Sequence, residues 1–100
     1  MDKQLDEILT ILQEECAEVI QAVSKMRRFG RFGVDLSTGA TNTFHLQKEL
    51  GDVLAMIELL DSHEYVDIRH IHLIKHEKFD KLRVWSNINV DYNKLKNLTE

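Results

Sequence analysis

The sequence predicts an all-α fold in which amphipathic helices form a four-helix-bundle core by oligomerisation. Apolar residues recur at the 3.6-residue period of a helix in three segments, and proline is absent from the chain. A chain of 100 residues buries only a modest fraction of its surface on its own. Three amphipathic helices of this size therefore predict a homodimer, or a homotetramer made of two dimers, in which paired chains complete the bundle.

Composition and charge exclude several classes of protein. The 43% hydrophobic and 30% charged residues are ordinary for a soluble globular protein, and the length predicts one domain, 1–100. No apolar run approaches the roughly 20 residues of a membrane span, and the N-terminus lacks a signal-peptide pattern. The net charge of −4 argues against a nucleic-acid-binding or membrane-binding surface. A single cysteine allows no internal disulfide, which fits a cytoplasmic location.

The first helix is predicted from about Leu5 to Met26. Cys16 falls in the middle of its apolar stripe, so we expect it to act as a small hydrophobic residue and assign it no chemistry. The apolar positions that follow the helical period are Leu5, Ile8, Leu9, Leu12, Cys16, Val19, Ile20, Val23 and Met26.

Three glutamates of this helix share one face. Glu14, Glu15 and Glu18 fall within a wedge about 100° wide, because each helical residue turns the side-chain direction by about 100°. Like charges at this spacing repel, and no lysine or arginine is interleaved to pair with them. The wedge flanks the apolar stripe, so Glu15 and Glu18 are expected to be partly buried. Buried ionised carboxylates need a cation, which indicates a metal site.

A basic, glycine-containing segment follows the acidic face. Lys25, Arg27 and Arg28 suit the negative end of the helix dipole, which is the simplest interpretation of each one alone. A loop of about a dozen residues comes next, because the glycines of Phe29–Gly33 and the polar stretch Ser37–Asn42 interrupt the helical pattern. Arginines and aromatic rings beside such a loop can hold phosphates and stack on a base.

The second helix is predicted from about Phe44 to Asp61, with Asn42 or Thr43 as its N-terminal cap. Glu49 and Asp52 lie about 60° apart on a flank of its apolar stripe, so the arrangement of the first helix is repeated. The expected core positions of this helix are Leu46, Leu50, Val53, Ile57 and Leu60.

The two helices together carry five clustered carboxylates, whose mutual repulsion bound cations would offset. His45 lies one turn before Glu49 on the same face and could reach the site. An exposed histidine at a helix end is the simpler interpretation, so His45 is left out of the predicted metal ligands.

The third helix is predicted from about Asp67 to Trp85. Lys78 points into its apolar stripe, either because the lysine stem covers apolar surface or because its ammonium binds phosphate. Only His72 and His76 share a face, and two ligands do not make a structural zinc site. The tail from Asn87 to Glu100 is polar with a weak helical period, so a short helix that lies against a neighbour is expected there. The apolar positions of the third helix are Ile68, Ile71, Ile74, Phe79, Leu82 and Trp85.

The two acidic patterns, Glu14-Glu15-x-x-Glu18 and Glu49-x-x-Asp52, resemble the motif of the MazG-like all-α nucleoside triphosphate pyrophosphatases, especially the small single-domain members of phages and bacteria. The 30 residues between Glu18 and Glu49 are slightly more than is usual in that family. The resemblance covers about residues 8–85. Further segments that agree with it are Ser24–Gly30, Thr41-Asn42 and Glu77–Leu82.

The resemblance implies that Mg²⁺, with Mn²⁺ as a substitute, bridges these carboxylates and the phosphates of a nucleoside triphosphate. Water then attacks the α-phosphorus and releases pyrophosphate and a nucleoside monophosphate. It implies that Glu15, Glu18, Glu49 and Asp52 are the metal ligands. Glu14 and Glu15 are the expected catalytic residues, Glu14 either binding metal or orienting and deprotonating the water. The expected substrate-binding residues are Lys25, Arg28, Asn42 and Lys78.

Other functions remain open at this stage. A non-enzymatic helical interaction module would leave the acidic faces merely solvated. A di-iron carboxylate bundle would need Glu-x-x-His on paired helices, which neither acidic helix contains. Within the superfamily, a dUTP-specific enzyme or a phosphoribosyl-ATP pyrophosphatase fits equally well, because the acidic motif binds phosphates and does not select a base.

Overall fold

The computed structural model describes residues 1–95 and confirms the all-α class. It contains three helices: α1 (Lys3–Phe29), α2 (Asn42–Ser62) and α3 (Ile68–Trp85). No strand forms within the described residues beyond one isolated bridge between Val34 and Thr41. The chain divides into two compact units, Met1–Val66 and a second unit that begins at Asp67. In residues 1–95 no helix is both long enough and apolar enough to span a membrane.

Helix α1 is bounded by a carboxylate cap and a glycine. Asp2 Oδ1 accepts hydrogen bonds from the backbone N–H groups of Gln4 (2.8 Å) and Leu5 (3.3 Å), which would otherwise lack partners. Its other oxygen accepts from the Tyr65 hydroxyl at 2.6 Å, so the cap also joins the start of α1 to the end of α2. At the opposite end Gly30 has φ 84°, a conformation that favours glycine, and its N–H donates to Met26 O.

The connecting loop folds back onto the first residue of α2. Asn42 donates through its backbone N–H to Gly33 O and through Nδ2 to Gly30 O, each at 2.9 Å. A Cβ on Gly33 would lie 2.8 Å from Asn42 Nδ2, so this close approach requires glycine. The predicted cap of α2 is therefore wrong by one residue. Thr41 is the cap, and its hydroxyl accepts from Phe44 N, because Asn42 is already committed to the loop.

Helices α1 and α2 pack on each other in opposite directions. Their apolar core consists of Ile8, Met56 and Leu60, which are 6–7% exposed and surrounded by half-buried neighbours. Burial of each such side chain stabilises the fold by about 1.5–3 kcal/mol. Near the other end, Ala22 is 1% exposed. The half-buried residues around this core are Leu5, Ile11, Leu12 and Tyr65.

Several predicted core positions of α1 and α2 are exposed instead. Leu50, expected in the stripe of α2, is 45% exposed, whereas Glu49, expected on its flank, is 3% exposed. The apolar residues of each helix cover two adjacent arcs, and the pair buries the arc beside Glu15, Glu49 and Asp52. Glu18, expected to be partly buried, is exposed instead. On α1 the exposed arc forms a row, here termed the open row, of Leu9, Cys16, Ile20 and Val23.

The second unit contains α3. Asp67 caps this helix by accepting from Arg69 N, and Ser86 ends it by donating to Leu82 O. None of its residues is buried, and Trp85, predicted to lie in the apolar stripe, is 85% exposed. No helix forms in the described part of the tail, residues 87–95, and the rest of the predicted tail segment lies outside the described residues.

Candidate metal centre

Four of the predicted carboxylates converge where α1 packs on α2. Glu15 and Glu18 come from α1, Glu49 and Asp52 from α2, and one oxygen of each lies within 4.8 Å of the others. The spacing of three residues within each pair places both members on one helix face, and the packing brings the two faces together. Oxygen ligands at this density are the kind of site that a hard divalent cation occupies.

Two carboxylate oxygens of this cluster are buried without a hydrogen-bond partner among the described residues. They are Glu15 Oε2 and Glu49 Oε2, and the Glu49 side chain is only 5% exposed. An ionised oxygen shielded from water costs free energy unless a cation or a donor replaces the lost hydration. The donor set and these two oxygens therefore fit a divalent metal ion.

The negative charges also repel one another, and this repulsion raises the pKa values of the α1 glutamates. Burial raises the pKa of Glu15, and the negative charges of Asp52 and Glu49 raise it further. Hydrogen bonding to Glu49 raises the pKa of Glu18, with repulsion from Glu49 and Glu15 adding to it. Both glutamates thus hold their protons more tightly than a free side chain does. A bound cation would remove the cause of that repulsion.

Two basic side chains of α2 already contact the cluster. Lys48 Nζ lies 3.2 Å from Asp52 Oδ2 and 3.5 Å from Glu49 Oε1, and His45 Nε2 lies 3.4 Å from the same Glu49 oxygen. The expectation of an exposed helix-end histidine is therefore wrong, since His45 is half-buried against Glu49. Sequence reasoning missed Lys48 altogether. The signal was present, because Lys48 and Asp52 are four residues apart and such pairs face each other on a helix.

A cavity of about 480 Å³ opens beside the cluster, between α1, the loop and the start of α2. Glu18 and Glu49 line the end that belongs to the acidic cluster, Asp35 lines the cavity from the loop, and Phe44 lines it from the start of α2. The remaining residues on its wall include Lys25, Asn42, His45 and Lys48. Its volume is within the range typical of small-molecule sites.

Comparison with known protein families shows which family this chain belongs to. The model of the MazG nucleotide pyrophosphohydrolase domain matches residues 3–79. The chain belongs to this family. The match includes α1, the loop, α2 and most of α3, so both acidic pairs of the MazG domain lie inside it. No curated protein and no solved structure gives a significant match. The predicted resemblance is thus confirmed, and membership supports nucleotide pyrophosphohydrolase activity in general.

Of the remaining predicted site residues of this MazG domain, some line the cavity and others do not. Lys25 and Asn42 line the cavity, although the Asn42 amide donates to Gly30 O. Glu14 is exposed and does not belong to the group of four carboxylates. Arg28 does not line the cavity, and its guanidinium carbon lies 5.1 Å above the ring of Phe29.

Lys78 belongs to the second unit and is exposed. The half-buried lysine of α3 is Lys75, whose Nζ lies 3.3 Å from His72 Nδ1. The expectation that Lys78 is the lysine within the apolar stripe is therefore wrong, because the helix turns Lys75 toward its more buried side. The predicted role of Lys78 in substrate binding stays a prediction.

Proposed function

We propose that this protein is a Mg²⁺-dependent nucleoside triphosphate pyrophosphohydrolase that converts a (d)NTP to a (d)NMP and pyrophosphate. The observation that carries the proposal is the convergence of four carboxylates, two with buried unpartnered oxygens, at the end of a cavity that also holds basic side chains. An acidic surface that was merely solvated would leave its oxygens open to water. The interaction-module alternative is less consistent with these two buried oxygens.

The metal would be held by Glu15, Glu18, Glu49 and Asp52, with Mn²⁺ as a substitute for Mg²⁺. When bound, such an ion neutralises charge on the phosphates and lowers the pKa of coordinated water. The buried Glu49 fixes the position of the site, because its side chain is enclosed between the two helices.

The other residues of the site act on the substrate. Lys25 lines the cavity and provides a positive charge for the polyphosphate, and Asn42 holds the loop wall against α2. Glu14 is exposed and directly precedes Glu15 in the sequence. We assign to its carboxylate the role of orienting the attacking water and accepting its proton. Arg28 and Lys78 are assigned supporting contacts to the phosphates.

We also propose that the whole chain, 1–100, acts as one MazG domain within a homodimer or homotetramer in the cytoplasm. The open row of α1 and exposed Leu50 and Leu54 of α2 leave apolar surface that a second copy would bury. Pairing of two α1–α2 units would give a four-helix bundle. Light scattering tests this, and a stable monomer near 12 kDa at micromolar concentration would contradict it.

The activity is tested by measuring pyrophosphate release from the common NTPs and dNTPs, with Mg²⁺ and with a chelator. We expect monophosphate and pyrophosphate in equal amounts, only with metal. Including dUTP and phosphoribosyl-ATP resolves the two alternatives within the superfamily. Absence of release from every substrate in Mg²⁺ and in Mn²⁺ would favour an interaction module.

A further inference from the structure

The ammonium of Lys48 lies between two of the candidate metal ligands. Its distances are 3.2 Å to Asp52 Oδ2, with hydrogen-bonding geometry, and 3.5 Å to Glu49 Oε1. The Lys48 side chain is 57% exposed, whereas that of Glu49 is 5% exposed. The ammonium of a largely exposed side chain thus lies against a carboxylate that is almost entirely enclosed.

The charge of Lys48 acts on more than one member of the cluster. Its ammonium contacts both Asp52 and Glu49, and oxygens of these two residues lie within 4.8 Å of oxygens of Glu15 and Glu18. The lysine therefore has the electrostatic role that a metal ion would have at this place, with a smaller charge.

We propose that Lys48 is the internal counter-ion of the metal centre: it neutralises Glu49 and Asp52 when no metal is bound, and a divalent cation displaces it. This inference rests on the proposed function, because it takes the four carboxylates as metal ligands. Lys48 is thereby a positioning residue, since it acts on the carboxylates and keeps them at ligand spacing before the metal arrives.

Two features explain why the lysine leaves rather than sharing the site. A metal ion and an ammonium on the same pair of carboxylates would repel each other across a few ångströms. The lysine stem is long and flexible, and its exposed side chain can turn into water without any change in α2. Lys48 also lines the cavity, so its release provides a cation on that wall when metal is present.

Calorimetric titration of Mg²⁺ into the metal-free protein tests the competition. Lys48→Met has no ammonium to displace, so we expect it to bind Mg²⁺ about five- to tenfold more tightly than wild type. Lys48→Arg keeps the charge and should bind no more tightly than wild type. Lys3→Met is the matched control for loss of one positive charge, because Lys3 lies twelve residues before Glu15 on α1, about 18 Å along the helix. Its affinity should equal that of wild type.

Amine labelling of the wild-type protein provides a second readout that needs no folded variant. Brief acetylation followed by mass spectrometry gives the reactivity of each lysine, with and without Mg²⁺. An ammonium released from two ion pairs should react several-fold faster, while exposed Lys3 and Lys81 should not change.

The outcomes separate the two proposals. If wild type binds Mg²⁺ but Lys48→Met binds it no more tightly, or if Mg²⁺ leaves Lys48 labelling unchanged, the counter-ion role is overturned and the proposed function stands. If wild type binds neither Mg²⁺ nor Mn²⁺, both proposals fall.

Discussion

Two regions of the α1–α2 pair bury opposite kinds of side chain. Near one end, the apolar end, Ile8, Met56 and Leu60 form a core, and toward the middle of the pair, in the acidic region, Glu15 and Glu49 place unpartnered oxygens out of reach of water. Burial of the first group stabilises the fold, whereas burial of the second costs free energy unless a cation is present. The apolar end therefore holds the acidic region together, and the two should respond oppositely to substitution.

The largest effect is expected from Glu15→Gln or Asp52→Asn. Each change keeps the side-chain volume and removes one negative charge, so pyrophosphate release should fall by at least about a hundredfold. Repulsion is relieved, so the metal-free protein should melt no lower than wild type. Melting with Mg²⁺ decides the companion claim, because a ligand that binds only the folded state raises its stability. The assignment fails if Mg²⁺ stabilises either variant as much as wild type.

Leu60→Ala probes the apolar end. Loss of this buried side chain should lower the free energy of unfolding by about 2–4 kcal/mol in chemical denaturation. Binding of Mg²⁺ by the fraction that remains folded should not change, because Leu60 provides no ligand to the site. Exposed Leu36→Ala is the control and should have a small effect. Equal destabilisation by the two changes would contradict the division into an apolar end and an acidic region.

The pH dependence of stability should differ between the acidic region and the other aspartates of the chain. Glu15 and Glu18 bind protons more tightly in the folded chain, so the stability they contribute in acid is lost as pH rises above their ordinary value of 4.5. The pKa is instead lowered for three aspartates, Asp2, Asp35 and Asp67. The stability that they contribute is present above their ordinary pKa of 3.8 and is lost as the pH falls below it.

Thermal melts of the metal-free protein from pH 4.5 to 7.5 measure this dependence. Wild type should lose stability across this range relative to Glu15→Gln, because only wild type has the glutamate whose pKa is raised. The contribution of the aspartates is the same in both proteins and cancels in the difference. Saturating Mg²⁺ should remove that loss. Parallel curves for the two proteins in chelator would show that Glu15 does not carry the repulsion.

The smallest effect is expected from Lys78→Met, because Lys78 belongs to the second unit. If the ammonium contacts phosphate, catalytic efficiency should fall by about two- to fivefold, as for an exposed charge, with little change in stability. Lys81→Met, also exposed on α3, is the control and should have less effect. Equal activity of wild type and Lys78→Met well below saturation would exclude the role and direct attention to Lys25.

Much of this arrangement could be predicted because it depends on helical period alone. Each acidic pair is local, so the shared faces of Glu15 with Glu18 and of Glu49 with Asp52 follow from their spacing. The choice between two apolar arcs could not be predicted, because it depends on which surface the partner helix offers. Exposed Leu50 beside buried Glu49 is the result of that choice.

The capping residue of α2 shows the same limit on a smaller scale. Thr41, Asn42 and Thr43 are all suitable caps by type, and local propensity does not choose among them. The choice depends on Gly30 and Gly33, which accept hydrogen bonds from Asn42 across the loop. Hydrogen bonds between residues far apart in the sequence therefore determine which residue caps α2, and local propensity does not.

The open row has a practical consequence, because its Cys16 is the only thiol of the chain. Where a second copy covers this row, the sulfur is shielded, and where the chain is alone, a thiol-reactive dye can reach it. The rate of labelling as a function of protein concentration then reports the fraction of covered chains without any engineered probe. A dye carried at this position would also block association, so the labelled protein would be trapped as single chains.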